Sequence, residues 1–133
     1  MKYKIVKETK PSLSTFGKFK AIAVHELTVD THKIIEEVKE RNGFLSEGTV
    51  EAVLIGLSEV ISRHLRNGDK VRLDDFGLMK LEIESDKVDA PEAFKPKKHI
   101  RGVRLHFLPV SEKGKPELYQ EIEFQREKQF TVL

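Results

Sequence analysis

A chain of 133 residues with no cysteine has room for one modest domain and excludes a disulfide framework or a zinc site built on thiolates. Its first twenty residues hold no unbroken apolar run, so the sequence predicts neither a signal peptide nor a membrane-spanning helix, and a cytoplasmic location is expected. The 24 Lys and Arg residues nearly balance the 22 Asp and Glu residues, but they are unevenly placed.

Positive charge is concentrated in two segments that flank an acidic middle. Residues 1–20 carry a net charge of +5, residues 36–84 carry −4, and residues 85–110 carry +3. Residues 94–110 include no acidic residue, which suits a surface that binds a polyanion. A solvated, lysine-rich face would give the same pattern, so charge alone leaves both interpretations open.

The first predicted elements are two short strands, Tyr3–Lys7 and Phe19–Glu26, separated by a linker rich in Pro, Ser and Gly over Pro11–Gly17. A helix is predicted next. Asp30 is its candidate N-cap, and the helix runs to about Arg41, where an Asn-Gly pair favours its end.

The clearest pattern in the chain is an apolar helix from about Ser46, a suitable N-cap, to Arg66, where a second Asn-Gly pair supplies a stop. Ile55 and Val60 lie off the main apolar stripe, so the helix has more than one apolar side. Packing within one subunit and packing against a second subunit both explain that pattern. The main stripe consists of Val50, Val53, Leu54, Leu57, Ile61 and Leu65.

Two alternating segments, Lys70–Leu73 and Leu78–Glu84, are predicted strands, and the turn between them contains Asp75-Phe76-Gly77. Protein kinases use the same triplet to hold magnesium. This chain lacks the length, the glycine-rich phosphate loop and the catalytic loop that a kinase needs. We therefore predict a hairpin turn in which Gly77 adopts a positive φ and Phe76 is available for the core.

Beyond the hairpin, the polar segment Lys87–Lys98 contains two prolines and predicts an exposed excursion. Ile100–Pro109 predicts a returning strand with apolar residues on one face and Arg104 and His106 on the other. Glu117–Ile122 predicts a short helix, which is followed by a strand-like segment and a tail.

The sequence offers no constellation for catalysis or for a metal ion. Its five histidines lie far apart, without the paired spacing of a metal site. Asp74 and Asp75 are adjacent but lack a partner base or a phosphate loop, and no Ser or Thr lies in a nucleophile-elbow context. We therefore predict that the protein is not an enzyme and uses no cofactor, metal or small-molecule substrate.

The order of these elements and two motifs resemble the bacterial HU and integration host factor family of histone-like DNA-binding proteins. The family pattern Gly-x-x-Val-x-Leu-x-x-Phe-Gly matches residues 68–77, and Leu45-Ser46 matches the start of the preceding helix. The family's Phe-x-Pro matches residues 107–109, and 29 residues separate the two motifs, which is close to the family's arm length. The resemblance covers about Val29–Pro109.

The resemblance implies an α+β fold and an intertwined homodimer with a helical base, a β-sheet saddle and extended arms. Residues 1–28 would form an added N-terminal β extension, typical of a divergent HU-like subgroup. Residues 29–110 would form the DNA-binding domain, and residues 111–133 a short helix, strand and tail.

The expected function is nucleoid-associated binding of double-stranded DNA, mainly through phosphates and with little sequence specificity. The expected DNA-binding residues are Lys80, Lys95, Lys97, Lys98, Arg101 and Arg104.

The arm tip departs from the family. Where the family carries Arg-Asn-Pro, whose proline wedges between base steps, this chain has Asp89-Ala90-Pro91-Glu92. Pro91 is a candidate wedge, but phosphates would repel its acidic neighbours, so a loop-shaping role is favoured. A second interpretation is a dimeric protein-interaction or structural module that kept the fold and lost DNA binding. The acidic tip favours this module, whereas the basic residues 95–104 favour DNA.

Overall fold

The computed structural model describes residues 1–112 and 115–127, and contacts among these residues divide the chain into two units. The first unit contains residues 1–34 and the described residues from 121 onward, and the second contains residues 35–120. Each unit has its own three-stranded sheet, and together they make a mixed α+β protein. No helix in the described part of the chain is both long and apolar enough to span a membrane.

The helices and strands of the described residues follow the sequence pattern in order. Two 3₁₀ turns lie among them, at Pro91–Ala93 and Glu117–Tyr119. The elements are β1 (Lys2–Lys7), β2 (Phe19–Ala23), α1 (Thr31–Arg41), α2 (Glu47–Arg66), β3 (Val71–Leu73), β4 (Gly77–Ser85), α3 (Pro96–His99), β5 (Ile100–Pro109), β6 (Ser111–Glu112), β7 (Lys115–Pro116) and β8 (Gln125–Arg126).

The sheet of the first unit has the strand order β2-β1-β8. β1 and β2 form an antiparallel hairpin whose register runs from Tyr3↔Ala23 to Lys7↔Phe19, which confirms the two predicted N-terminal strands. β8 pairs in parallel with the start of β1 and forms the C-terminal strand-like segment expected from the sequence. The helix predicted at Glu117–Ile122 is only a 3₁₀ turn of three residues, and the predicted tail lies outside the described residues.

Local capping fixes both long helices at the residues that the sequence indicates. The Asp30 carboxylate accepts the Lys33 N–H at 3.0 Å at the start of α1. The Ser46 hydroxyl accepts the Thr49 N–H at 3.1 Å at the start of α2. Gly68, with φ of 88°, takes the left-handed conformation just after α2, which confirms the predicted stop.

The second unit contains a meander in the order β3-β4-β5, which confirms the three strands predicted there. β4 and β5 pair continuously from Gly77↔Pro109 to Glu84↔Gly102, and an irregularity after Glu84 leads to Ser85↔Ile100. Because directly opposed residues of an antiparallel pair share a face, the pairing separates apolar from polar side chains. The apolar face carries Met79, Leu81, Ile83, Val103, Leu105 and Phe107, and the polar face carries Lys80, Glu82, Arg104 and His106.

The turn between β3 and β4 needs glycine for a reason other than the predicted one. The only described glycines with positive φ are Gly17 and Gly68, so the expected positive φ at Gly77 is wrong. A Cβ on Gly77 would lie 2.4 Å from the Leu108 carbonyl oxygen and 2.7 Å from the Phe107 ring. The constraint is therefore close packing against β5.

Phe76 does not lie in the core of the single chain, contrary to expectation. Its ring lies on the Phe107 ring, with centroids 4.7 Å apart, but the residue remains 52% exposed. The Phe76 carbonyl accepts the Val110 N–H at 2.9 Å, which ties the turn to the end of β5.

The segment predicted as an exposed excursion, Lys87–Lys98, contains more regular structure than expected, because it includes the first 3₁₀ turn and most of α3.

A single chain buries very little apolar surface. Within the described residues, only Ile35, Val50 and Leu65 are buried apolar side chains. Val53 on α2 is 62% exposed, and Ile83 on the apolar face of β4 is 66% exposed. One side of the helix and one face of the sheet are therefore apolar and exposed, and contiguous apolar patches of this kind are typical of contact surfaces.

Gly77→Ala is expected to destabilise the fold, because the added methyl group collides with the β5 backbone and the Phe107 ring. The expected loss is roughly 1–3 kcal/mol in the free energy of unfolding, measured by chemical denaturation. Gly48→Ala is the matched control, since a Cβ there meets nothing within 4 Å. That change is expected to be neutral or to stabilise α2 by at most about 1 kcal/mol. Equal stability of both variants would refute the close-packing account.

Candidate nucleic-acid interface

All six cationic residues predicted to bind DNA lie between the start of β4 and the end of β5. We call Gly77–Pro109 the arm, the paired strands β4 and β5 its ladder, and Asp86–His99 its tip. Lys80, Arg101 and Arg104 belong to the ladder. Lys95, Lys97 and Lys98 belong to the tip, where Lys95 directly precedes α3 and the other two lie within it. The residues therefore form two groups with different surroundings.

Glu82 is the centre of the ladder's polar face. Its carboxylate lies 3.4 Å from the Arg104 Nη2 atom, 3.6 Å from the Lys80 Nζ atom and 3.9 Å from the His106 Nδ1 atom. The register explains this convergence, because Lys80 faces His106 and Glu82 faces Arg104 across the strands. One carboxylate thus neutralises part of the charge of several cationic neighbours.

Two further acidic residues extend this pairing toward the tip. The Arg104 Nε atom lies 3.9 Å from the Glu84 carboxylate, and the Arg101 Nε atom lies 2.7 Å from the Asp86 carboxylate. Exposed pairs of this kind add little to stability, but they cancel charge locally. Three acidic residues face three Lys and Arg residues here, so this group carries no net charge when His106 is neutral.

The sequence analysis did not include these acidic residues in the candidate site. The signal was present, because Lys80, Glu82 and Glu84 alternate with apolar residues and must therefore share one face. Pairing them with Arg104 also required the register of two strands separated by the tip. Alternation along one strand predicts which face of the sheet a side chain occupies, but it does not predict which residue of the neighbouring strand lies opposite.

Three lysines of the tip lack ion pairs of this kind in the described part of the chain. Lys95, Lys97 and Lys98 are all exposed, and among the described residues none of their side chains has an ion-pair partner. Pro96 occupies the first turn of α3, where its fixed φ and missing N–H suit a helix start. The three lysines therefore project from one short, ordered segment.

Local contacts of His99 organise the tip. Its Nδ1 atom accepts the Lys95 N–H at 2.8 Å, and its ring centroid lies 5.4 Å from that of Phe94. The His99 carbonyl accepts the Asp86 N–H at 2.7 Å, which closes the tip onto the end of β4. These contacts hold the backbone around the lysines without using their ammonium groups.

Pro91, the candidate wedge, is the first residue of the 3₁₀ turn in the tip. Its carbonyl accepts the Phe94 N–H at 3.2 Å, so the residue has a local role in shaping the turn. It is exposed, with the carboxylates of Asp89 and Glu92 close by in sequence. Its geometry is that of a loop proline, and insertion between bases stays a hypothesis.

No group of three or more His, Asp or Glu side chains suited to a metal ion occurs among the described residues. Asp74 and Asp75 are exposed in the turn before β4, where the Phe76 N–H donates to the Leu73 carbonyl at 2.9 Å. That hydrogen bond is the closure expected of a hairpin turn.

Two helices joined to a β-meander whose second and third strands extend into a long arm define an HU-like protein. The chain belongs to the family described as an HU domain fused to a winged helix-turn-helix, an immunoglobulin-like or a glycine-rich motif, and the match covers residues 1–127. This confirms the resemblance inferred from the two sequence motifs.

A solved structure from Bacteroides vulgatus, described as a candidate bacterial DNA-binding protein, is similar in fold, with a TM-score of 0.54 and 15% sequence identity. The similarity covers 81% of this chain but only 41% of that one, so this chain spans less than half the length of its structural relative. At this identity the similarity concerns the fold alone. No curated protein is significantly similar in sequence.

Proposed function

We propose that this protein is an architectural DNA-binding protein that holds double-stranded DNA mainly through phosphate contacts. The observation that carries the proposal is the exposed lysine cluster at the tip of an HU-like arm, because these lysines have no ion-pair partner among the described residues. The fold relative described as a candidate DNA-binding protein supports the same function. Ammonium groups on flexible side chains bind phosphates as point charges, so little sequence specificity is expected.

The two groups of cationic residues contribute unequally in this proposal. A phosphate that approaches Arg101 or Arg104 must compete with the carboxylate already beside it, at 2.7 Å and 3.4 Å respectively. Lys80 is likewise paired with the Glu82 carboxylate, which a phosphate would have to displace. The tip lysines have no such competitor, and counterion release on phosphate binding favours them directly. We therefore assign the main contacts to the tip and a secondary role to the ladder.

A dimeric protein-interaction or structural module remains the second candidate, and one observation favours it. The cationic groups of the ladder are paired with Glu82, Glu84 and Asp86, and Asp89 and Glu92 add negative charge within the tip. An arm that served only to contact another protein would tolerate this charge. The uncompensated lysines favour DNA over this candidate.

The proposed assembly is a homodimer in which the two chains cover each other's apolar surfaces. Val53, Leu57 and Val60 lie at spacings of four and three residues on one side of α2, and all are exposed in the single chain. Fully burying an aliphatic side chain is worth roughly 1.5–3 kcal/mol, so several at one interface can outweigh the cost of association. The proposed location of the dimer is the bacterial nucleoid. The proposal includes no catalytic step, cofactor or small-molecule substrate.

Replacing Lys95, Lys97 and Lys98 together by Ala is expected to weaken duplex binding for every sequence tested. Each phosphate contact contributes about 0.9 to the magnitude of the slope of log affinity against log salt. A dimer that loses up to six contacts should therefore show a slope that is smaller in magnitude by up to about 5. Fluorescence anisotropy with two unrelated duplexes at several salt concentrations measures both quantities.

The matched control for the tip variant replaces Lys39, Arg41 and Lys70 by Ala, which removes the same charge outside the arm. This control is expected to keep most of the affinity and slope. Circular dichroism confirms that both proteins remain folded. If the tip variant binds duplex DNA like the control, the tip lysines are not the main contacts. If the unaltered protein does not bind duplex DNA, the interaction module becomes the better account.

The dimer is tested by sedimentation equilibrium at micromolar concentration, with an expected mass of twice the 15.3 kDa of one chain. The unfolding temperature should also rise with protein concentration, since dissociation and unfolding are coupled. Val53→Glu should lower dimer stability by placing a charge on the exposed side of α2. A folded, stable monomer would show that the open apolar surfaces are not subunit contacts.

A further inference from the structure

A second concentration of positive charge lies in the first unit, at the closed end of the β1–β2 hairpin. We call residues 7–20 the hairpin end. Its loop is ordered by backbone hydrogen bonds, in which the Glu8 N–H donates to the Lys18 carbonyl at 2.8 Å and the Gly17 N–H donates to the Glu8 carbonyl at 3.1 Å. Gly17 adopts a φ of 81°, a conformation that glycine accepts without strain. The backbone of the hairpin end is thus held in a defined conformation.

The hairpin end holds four lysines and a single acidic residue. That residue, Glu8, lies 3.7 Å from the Lys20 ammonium group and also accepts the Lys10 backbone N–H at 3.1 Å. Among the described residues, the side chains of Lys10 and Lys18 have no ion-pair partner. One carboxylate therefore balances one lysine, and the remaining positive charge is exposed.

Two aromatic rings lie among these lysines. Phe19 is 66% exposed and Phe16 is 55% exposed. The Lys7 ammonium group lies 5.9 Å from the centroid of the Phe19 ring, directly across the hairpin, so one ring already shares its face with a cation. The surface thus offers exposed positive charge and exposed ring faces together.

The carboxylate that pairs with Lys2 lies at the opposite end of the sheet. β8 pairs with Lys2 and Tyr3 at the start of β1, and the Lys2 ammonium group is bound by Glu26. The Glu26 carboxylate raises the pKa of Lys2 by accepting this hydrogen bond. Lys7 is five residues along the strand, or about 16 Å away at the strand rise of ~3.3 Å per residue. Over that distance, charges are largely screened at physiological salt.

We propose that the hairpin end is a second nucleic-acid-binding surface and that it takes single-stranded DNA. Lys10 and Lys18 bind phosphates, and Phe16 and Phe19 stack against bases. Uncompensated cations interleaved with exposed rings are the combination that binds single strands, because their bases offer a free π-face. In a duplex those faces are stacked on one another, so the rings would have nothing to contact. This surface belongs to the first unit and extends the proposed function beyond the arm.

The test is binding of an oligothymidylate of about 15 nucleotides, a length within the site sizes of single-strand-binding proteins. Lys10→Ala with Lys18→Ala should lower the affinity and reduce the salt slope by about 1.4, since each phosphate contact on a single strand contributes about 0.7. Phe16→Ala should lower the affinity by about fivefold or more and leave the slope unchanged, because stacking releases no counterions.

The matched control replaces Lys2 and Lys33 by Ala, which removes the same charge from the same unit outside the hairpin end. It should bind oligothymidylate with nearly the wild-type slope. A Lys10/Lys18 variant that matches this control overturns the proposal, as does a Phe16→Ala variant of unchanged affinity. Duplex binding by the arm is measured separately with the tip variant, so failure of this proposal is distinguishable from failure of the proposed function.

Discussion

The register of β4 against β5 is the constraint on which the arm depends. It is fixed at one end by Gly77, which packs so closely against Phe107 and Leu108 that no side chain fits. A shift of one residue would exchange the two faces, since side chains alternate along a strand. With the register in place, apolar residues form one continuous face and Glu82 lies between Lys80 and Arg104 on the other. The same register brings Asp86 and His99 together at the base of the tip.

This arrangement separates the arm into a ladder whose Lys and Arg side chains are paired with carboxylates and a tip whose Lys95, Lys97 and Lys98 side chains are not, within the described residues. A family likeness alone would assign DNA contact to the whole arm, including Arg101 and Arg104. Their carboxylate partners argue for a narrower proposal in which the tip lysines supply most of the binding energy and most of the salt dependence. The apolar face of the ladder and the exposed side of α2 remain uncovered in one chain, and this supports the proposed homodimer. The charge and the apolar surface are therefore consistent with the two proposed partners, a polyanion and a second copy of the chain.

Features set by neighbouring residues could be predicted from the sequence, and features set by distant contacts could not. Ser46 and Gly68 delimit α2 as expected, because caps act within a few residues. Gly77 was expected to need a positive φ, whereas its actual constraint comes from residues that follow it by about thirty positions. The tip helix α3 has only four residues, too few to show a helical period. The six proposed DNA-binding residues follow from sequence, but their division into paired and unpaired groups required the strand register.

The most direct test of this account is the duplex affinity of Glu82→Gln across a range of salt concentrations. The substitution keeps the shape of the side chain and removes the charge beside Lys80 and Arg104. The account predicts tighter binding and a steeper salt slope, by up to about 0.9 for each phosphate contact that becomes available. Glu59→Gln on α2 makes the same change in net charge away from the ladder and should have a much smaller effect. An affinity and slope for Glu82→Gln equal to those of the Glu59→Gln control would contradict the claim that carboxylates mask the ladder.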